Sequence, residues 1–360
     1  MADTLDRDLT DALVDAVRTA ASTRTALRIV GGDSKRFYGR PVEAQDLDVS
    51  GHRGIVRYDP AELVITARAG TPLAEIESLL ARHGQCLPFE PPAFGDTATL
   101  GGMIAAGLAG PARVARGPVR DYVLGARLLT GDGRVLRFGG EVMKNVAGYD
   151  VSRLLVGSLG ILGVILDVSL KVLPRPPAAL TVRALATADD ALGRLQALSR
   201  RGMPLTASFW CGGILNLRFE AAPASLEAIA DSLGGARVPD SDASAFWRAV
   251  REQRHAFFTR TAASLWRYWV PAASRASSWP VDRLAFEWQG SQRWVVGKPC
   301  DEAAGVPRVV KTLFRRATAT ADADEVFAPL PPPLMQLHGS IKAAFDPQSI
   351  LNPGRMYRAL

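Results

Sequence analysis

The stretch TLGGMIAAGLAG, residues 99–110, decides the fold of this chain. It holds four glycines, three alanines and a single polar side chain, that of Thr99. So much glycine argues against a helix, and the lack of a β-branched run argues against a strand. Because glycine leaves backbone N–H groups unobstructed by a Cβ, we expect irregular backbone here that approaches a ligand closely.

Two further stretches share this character: GGDSK at residues 31–35 and VAGYDVSRLLVGSLGILGV at residues 146–164. Clustered backbone N–H groups form concavities that bind anions, phosphates above all. The chain has neither a G-x-x-x-x-G-K-[ST] loop nor a G-x-G-x-x-G turn between a strand and a helix, so the two common nucleotide folds are not expected. One Gly-Gly pair alone is typically a tight turn. Three such segments around one set of strands favour a bound dinucleotide in a different fold.

Composition bounds the class of protein. The 360 residues carry a formal net charge of +7, but the arginines are dispersed rather than gathered in runs, so nucleic acid is not an expected partner. The N-terminus does not read as a signal peptide, and the longest apolar run, residues 154–166, is too short to span a bilayer. Three scattered cysteines, Cys86, Cys211 and Cys300, fit a reducing compartment and cannot hold an iron–sulfur cluster. We therefore expect a cytoplasmic protein that meets a membrane only through partners.

Patterns of apolar residues predict a first lobe of mixed elements. They indicate a helix over 5–20, a strand over 62–70 and a helix from Thr71-Pro72 to Gly84. Asp132-Gly133 is a hairpin signal, and Asp150 can cap a short helix that runs to Val156.

Proline-rich breaks divide the chain. After prolines at 174–177, the order is strand, helix, strand, strand, helix, strand, as in a ferredoxin-like unit. A second break, at 331–333, precedes a C-terminal helix. The predicted domains are residues 1–175, 178–330 and 331–360.

Four segments together carry a family resemblance: RIVGGDSKRFYG, ATLGGMIAAGLAGP, GEVMKNVAGYDVSRLLVGSLGILGVI and FDPQSILNPGRMY. They resemble the FAD-binding, PCMH-type flavoenzymes of the vanillyl-alcohol oxidase superfamily, over residues 25–175 and the last twenty. GPVRDYVLGARLLTGDG with LRFGGEVMKNVAGYD is similar, more narrowly, to the FAD-binding second subunit of bacterial glycolate oxidases. The resemblance implies an α+β protein: a two-subdomain FAD-binding domain, an α/β cap domain with a ferredoxin-like part, and a C-terminal segment that returns to the FAD domain.

The resemblance also implies which residues contact FAD. They are the residues of this chain that match the family's cofactor loops and tail: Gly31, Gly32, Asp33, Ser34, Lys35, Thr99, Leu100, Gly101, Gly102, Gly107, Gly110, Gly160, Gly163, Val164, Asn352 and Gly354. A bulky side chain at Gly101 or Gly102 should then empty the site, because its Cβ would enter the space of the cofactor.

Two absences shape the expected chemistry. Covalent flavin attachment in this superfamily uses a histidine in the first glycine loop, and here that loop is GGDSK, so FAD should be non-covalent. Relatives that oxidise D-2-hydroxy acids bring a histidine pair to a metal, and the four histidines here are not paired at ligand spacing, so no metal is expected. No catalytic residue is assigned: His255 is more often a surface helix position than a base.

The alternation of tryptophan and arginine in LWRYWVP, residues 265–271, has two interpretations. It could line a pocket for an anion through cation–π and ion-pair contacts. More often such a stripe is core of the cap sheet, with arginines reaching outward to solvent.

The resemblance implies an FAD-dependent oxidoreductase acting on the CH-OH group of a small 2-hydroxy acid, most like glycolate, within a multi-chain complex. The implied partners are a homologous catalytic flavin subunit and an iron–sulfur subunit, which would place the complex at the inner membrane. Two alternatives stay open: a stand-alone oxidase of sugar acids or alditols, and a non-catalytic assembly subunit.

Overall fold

The computed structural model describes residues 6–140, 150–272, 274–300, 303, 306, 308–317 and 325–360. Part of the third glycine-rich segment, residues 146–149, lies outside the described residues. The helices are α1 (Thr10–Thr23), α2 (Leu73–Arg82), α3 (Leu100–Ala106), α4 (Arg113–Arg116), α5 (Val151–Leu154), α6 (Ala188–Arg200), α7 (Pro223–Leu233), α8 (Asp240–Arg251), α9 (Ala256–Thr259) and α10 (Pro332–Phe345). The strands are β1 (Leu27–Val30), β2 (Gln45–Asp48), β3 (Ile55–Asp59), β4 (Val64–Arg68), β5 (Gln85–Cys86), β6 (Val123–Leu129), β7 (Val135–Gly139), β8 (Val164–Lys171), β9 (Leu173–Pro174), β10 (Ala178–Leu185), β11 (Leu205–Cys211), β12 (Ile214–Ala221), β13 (Ala236–Val238), β14 (Leu265–Trp269), β15 (Leu284–Glu287), β16 (Gln292–Val296) and β17 (Val310–Arg315).

An antiparallel sheet with the order β3-β4-β8-β6-β7 forms the centre of the N-terminal half. Its middle strand, β8, is buried from Val164 to Leu170, and its two buried polar residues are paired, Asp167 with Arg127 and Ser169 with Thr66. One face packs against α1, where Val164 joins a cluster with Val17. The other face packs against α2 and α3, where Val168 joins a cluster with Ile76 and Ile104. The parallel pair β1-β2 lies beside this sheet.

The glycine-rich stretch at residues 99–110 is helical over α3, so the expectation of irregular backbone there was wrong. Thr99 caps α3, its Oγ1 accepting a hydrogen bond from the N–H of Gly102 at 3.3 Å. Leu100, Met103 and Ile104 are buried together in the core. Burying these side chains stabilises the helix by more than the roughly 1 kcal/mol that each glycine costs. Gly107, with a φ of 63°, ends it.

The cap is an eight-stranded antiparallel sheet with the order β13-β10-β12-β11-β15-β16-β14-β17. Its first four strands, with α6 and α7, have the connectivity and strand order of a ferredoxin-like unit, as predicted. Helices α6 and α7 cover one face of this sheet. The other face meets the N-terminal half, where two crossed ion pairs of 2.8 Å join the units: Arg116 with Glu220, and Arg218 with Glu90.

The C-terminal segment packs on the N-terminal half. Leu351 lies in the cluster beneath α1, and Tyr357 joins the cluster on the other face of the sheet. The buried ammonium of Lys342 in α10 holds the turn that follows, donating to Asp346 Oδ2 at 2.6 Å and to the carbonyl of Leu351 at 2.7 Å. No helix in the described part of the chain is long and apolar enough to cross a bilayer.

Candidate functional site

A cleft of about 870 Å³ lies where β1, α3 and the C-terminal tail meet. We call it the first cleft, and 22 residues line it. Its walls come from segments far apart in sequence, which is the arrangement expected of a site for a long ligand.

The loop after β1 forms one wall of the first cleft, and its glycines are fixed by packing against the chain. A Cβ at Gly32 would lie 1.4 Å from the carbonyl oxygen of Thr97, and a Cβ at Gly31 would lie 2.5 Å from Thr99 Oγ1. Asp33 follows with a φ of 51°. The loop therefore presses its backbone onto residues 97–99 and turns its following residues toward the cleft.

The first cleft is electropositive. Its charged lining residues are four cations and one carboxylate: Arg28, Lys35, Arg36, Arg355 and Asp33. Arg28 is already held by Asp46 through two hydrogen bonds of 2.7 and 2.8 Å. The strongest hydrogen bonds of Lys35 and Arg355 go to backbone carbonyls. These bonds do not neutralise the positive charges of the two side chains, which therefore act on the cleft. Such a lining fits a pyrophosphate.

Lys35 is a half-buried cation of this wall. Its Nζ donates to the carbonyl of Ala93 at 3.1 Å and to Ser34 Oγ at 3.3 Å. Burial lowers the pKa of Lys35 to about 8, and the charge of Glu252 opposes that shift. An anion in the cleft would favour the charged form of the ammonium.

Helix α3 supplies the opposite wall, and its two adjacent glycines differ. A Cβ at Gly101 would lie 2.7 Å from the Cβ of Ala69, so its absence serves packing inside the protein. This corrects the expectation that a side chain at Gly101 would enter the space of the cofactor. A Cβ at Gly102 would meet only Thr99 Oγ1, at 3.3 Å, which leaves Gly102 as the glycine that keeps the cleft open.

Asn352 ties three distant segments together beside the cleft. Its Oδ1 accepts a hydrogen bond from the N–H of Ile29, and its Nδ2 donates to the carbonyl of Leu159, both at 2.8 Å. A Cβ at Gly160 would lie 2.6 Å from Asn352 Nδ2. Both polar atoms of this amide thus bond to other parts of the protein. The role of Asn352 is therefore to hold the walls of the cleft in place.

The structure brings eleven of the sixteen residues expected at the cofactor to the first cleft: Gly31, Gly32, Asp33, Ser34, Lys35, Thr99, Gly101, Gly102, Gly160, Gly163 and Asn352. The other five lie elsewhere. Leu100 is in the core, Val164 is buried beneath α1, and Gly354 donates its N–H to the carbonyl of Leu360. Gly107 lines a second cleft, and Gly110 borders a pocket under the cap.

Sequence reasoning missed half of the lining. The missed residues are Arg28, Ile29, Arg36, Tyr38, Val49, Ala69, Ala105, Ala106, Leu159, Ile165 and Arg355. Most are apolar or are arginines among many others, so no local signal separates them from core and surface. Arg355 lies within the NPGRMY segment that carries part of the family resemblance, so the sequence could have identified it.

The second cleft continues from the first. It encloses about 1100 Å³ and shares Tyr38, Ala106 and Leu159 with the first cleft. Arg113 and Arg120 add positive charge to its lining. The two clefts together form the elongated space that a dinucleotide requires.

The aromatic residues of the tryptophan and arginine alternation are divided between the two faces of β14. Trp266 and Tyr268 lie in the cap core. Trp269 turns the other way, and with Trp288 it encloses the guanidinium of Arg113, whose carbon lies 4.6 and 4.8 Å from the two ring centroids. Burial lowers the pKa of Arg113.

Residues 8–139 match the family described as FAD binding domain. Over 353 residues the chain is 46% identical to the glycolate oxidase subunit GlcE of Escherichia coli K12, which covers 98% of this chain and 99% of that protein. The chain belongs to the family of that subunit. The resemblance inferred from the four sequence segments is confirmed, and so is FAD as the cofactor.

Other relatives match less than half of the chain. The glycolate oxidase subunit GlcD of Bacillus subtilis is 31% identical over 157 residues, which is 43% of this chain and 33% of that protein. The D-lactate dehydrogenase of Archaeoglobus fulgidus is 35% identical over 153 residues, 42% of this chain and 34% of that protein. This chain is thus an FAD-dependent oxidoreductase of a family that includes enzymes of hydroxy acids.

Solved structures confirm the fold class. Two crystal forms of alkyldihydroxyacetonephosphate synthase match with TM-scores of 0.64 and 0.67, each covering 95% of this chain and 74% of that one. At 16% and 15% identity, this likeness concerns the fold alone.

The histidines lie away from the first cleft. His52 is fully buried, and its Nδ1 accepts a hydrogen bond from the N–H of Leu9 at 3.0 Å. His255 caps α9 through its own Nδ1, and burial lowers its pKa. Within the described residues, no three metal-ligating side chains form a group.

Proposed function

We propose that this protein is the FAD-binding subunit of a multi-subunit glycolate oxidase. The observation that carries the proposal is the 46% identity to the glycolate oxidase subunit GlcE, which extends over 98% of the chain. Identity over the whole length includes the cap, and in flavoenzymes of this class the cap is the part expected to vary with substrate and partner.

The residues fit the cofactor, and we propose that FAD binds across both clefts without a covalent bond. Lys35 and the loop of Gly31 and Gly32 would hold the pyrophosphate, supported by the excess positive charge of the lining. Gly102 would let the cofactor pass close to α3. No histidine lines the first cleft, which supports non-covalent binding. When bound, FAD supplies an acceptor for the two electrons of the substrate C–H bond.

We propose the domain boundaries given by the sequence: residues 1–175 with 331–360 as the FAD-binding unit, and 178–330 as the cap. The packing of the tail on the N-terminal half supports this division. The ferredoxin-like start of the cap sheet at β10 supports the boundary near residue 178.

The family supports assembly with other subunits, and we propose a homologous flavin subunit and an iron–sulfur subunit as partners. The similarity to both GlcE and GlcD supports the first, because two different glycolate oxidase subunits are each similar to this chain. The free cysteines, Cys86, Cys211 and Cys300, form no cluster site within the described residues, which supports transfer of electrons to another chain. The complex would be cytoplasmic and would reach the inner membrane through these partners.

Co-purification from the host tests the proposal. A tagged copy of this chain should bring down flavin and iron, and the eluate should reduce a dye when glycolate is added. A matched eluate from a strain that lacks the genes of the partners should keep the flavin and lose the iron and the activity. Full turnover of a sugar acid by the isolated chain would contradict the proposal, and a colourless, flavin-free protein would identify a non-catalytic assembly subunit.

A further inference from the structure

A large cavity lies at the junction of the N-terminal half and the cap, and we call it the junction cavity. The centres of water-sized groups fit in about 810 Å³ of it, which is within the usual range for a small-molecule site. Helix α8 forms one wall through the face that carries Ala243, Trp247 and Arg251, and residues 173–176 form part of the other. The junction cavity shares no lining residue with the first or the second cleft.

Arginines outnumber carboxylates in the lining of the junction cavity. The charged residues are five arginines and four acids: Arg116, Arg175, Arg218, Arg248, Arg251, Glu77, Glu90, Glu220 and Asp240.

The acids of the lining are largely engaged. Glu90 binds Arg218 through Oε1 and the N–H of Ala112 through Oε2, at 2.8 and 2.9 Å. Glu220 binds Arg218 through Oε1 and Arg116 through Oε2, at 3.3 and 2.8 Å. Glu77 is paired with Arg251 at 3.2 Å, which leaves Asp240 as the remaining carboxylate of the lining. The cavity is therefore richer in N–H donors than in acceptors.

Arg218 is the buried cation of this wall and is only 8% exposed. Its Nη1 contacts Glu90, and its Nε donates to Thr206 Oγ1 at 3.2 Å. Its Nη2 has no hydrogen-bond partner within the described part of the chain. The ring of Trp247, whose centroid lies 5.3 Å from the guanidinium carbon, holds the side chain in place. Because buried N–H groups are nearly always paired, this orphaned donor indicates an acceptor that enters from the cavity.

Arg175 and Arg248 add two cations from opposite walls. Arg175 follows β9, Arg248 belongs to α8, and both side chains are exposed. Among the ion pairs of the described residues, none involves either of them. Arg175 donates through Nε to the carbonyl of Gln85 at 3.2 Å, which leaves its outer edge for a ligand. Planar guanidinium groups of this kind match the oxygens of carboxylates and phosphates.

We propose that the junction cavity binds a small polyanion, a polycarboxylate or a phosphate compound, between Arg175, Arg218 and Arg248. Such a ligand brings several acceptor oxygens and needs no donors from itself, which is what the lining lacks. Its walls belong to both halves of the chain, so the bound anion would tie the cap to the N-terminal half. This site is separate from the proposed reaction and requires neither its substrate nor its partners.

Calorimetric titration of the FAD-loaded full chain tests the proposal, with citrate and inorganic pyrophosphate as probes and acetate as the single-charge comparison. Bound FAD keeps pyrophosphate out of the first cleft. The wild type should bind one equivalent of a polyanion at least about tenfold more tightly than acetate. Tighter binding of citrate would identify a polycarboxylate site, and tighter binding of pyrophosphate would identify a phosphate site.

The double variant Arg175→Gln with Arg248→Gln removes two cations that make no ion pair, so the fold should persist. It should bind the preferred polyanion about tenfold or more weakly.

Arg194→Gln with Arg200→Gln is the matched control. Both arginines are exposed on α6 and line neither the junction cavity nor the clefts, and their replacement removes the same net charge. This variant should bind the polyanion as the wild type does, and all variants should keep their flavin absorbance.

The proposal is overturned if neither polyanion gives saturable heat, which would mean that water alone satisfies Arg218. It is also overturned if the two double variants weaken binding equally, because the effect would then be one of overall charge. Glycolate-dependent dye reduction by the co-purified complex would in either case leave the proposed function standing.

Discussion

Gly102→Ala should stabilise the protein without FAD and weaken its binding of FAD. Gly102 lies in α3 and is bordered by open space, apart from Thr99 Oγ1, which is 3.3 Å from the position that a methyl carbon would take. Alanine therefore fits the apoprotein once Thr99 Oγ1 shifts by a few tenths of an ångström. The same methyl would project into the first cleft, which Gly102 lines.

Two magnitudes of opposite sign follow. Replacing glycine by alanine inside a helix stabilises by about 0.5–1 kcal/mol. Forcing a methyl into a filled site costs about 1–3 kcal/mol, which corresponds to roughly 5- to 150-fold weaker binding. Urea unfolding of the apoprotein measures the first effect, and titration with FAD, followed by quenching of flavin fluorescence, measures the second.

Gly193→Ala is the control for the helix effect. Gly193 lies in α6, is exposed, and a Cβ there would meet nothing within 4 Å. This variant should gain similar stability and bind FAD as the wild type does. If Gly102→Ala also binds FAD with unchanged affinity, α3 does not face the cofactor and the assignment of the first cleft fails.

Three further variants probe the cofactor wall, the tail and the cap. Lys35→Met should weaken FAD binding by about tenfold or more at pH 7. The affinity of the wild type should also decline above pH 8, where the ammonium of Lys35 loses its proton, and the affinity of the variant should not. Equal pH profiles of the two proteins by fluorescence titration would exclude Lys35 from the site. Asn352→Ala removes the hydrogen-bond partners of the N–H of Ile29 and the carbonyl of Leu159. It should lower the free energy of unfolding, measured in urea, by about 2–4 kcal/mol. A loss below about 1 kcal/mol would show that water replaces the amide. Burial raises the pKa of Glu287 from 4.5 to about 7 in the folded protein. The free energy of unfolding of the wild type should therefore fall by up to about 3 kcal/mol as pH rises from 5 to 8, and that of Glu287→Gln should not. Parallel curves of unfolding free energy against pH for the two proteins would refute the burial argument.

The sequence by itself determined the family, the cofactor and the order of the elements. The family and the cofactor follow from the resemblance of four short segments, and the order of the elements follows from alternating apolar residues and from a strand and helix order that matches a ferredoxin-like start of the cap. Such signals are read within about twenty residues, because backbone geometry and side-chain periodicity are local properties.

Only the tertiary structure decided what each residue does. It made α3 a helix, because burial of its apolar side chains outweighs the preference of its glycines. It turned Gly101 toward Ala69 and left Gly102 facing the cleft. It also placed Glu287 and Arg267, on different strands of the cap sheet, around one pocket. Burial, unpaired polar atoms and proton affinity depend on neighbours distant in sequence, so no local pattern could reveal them.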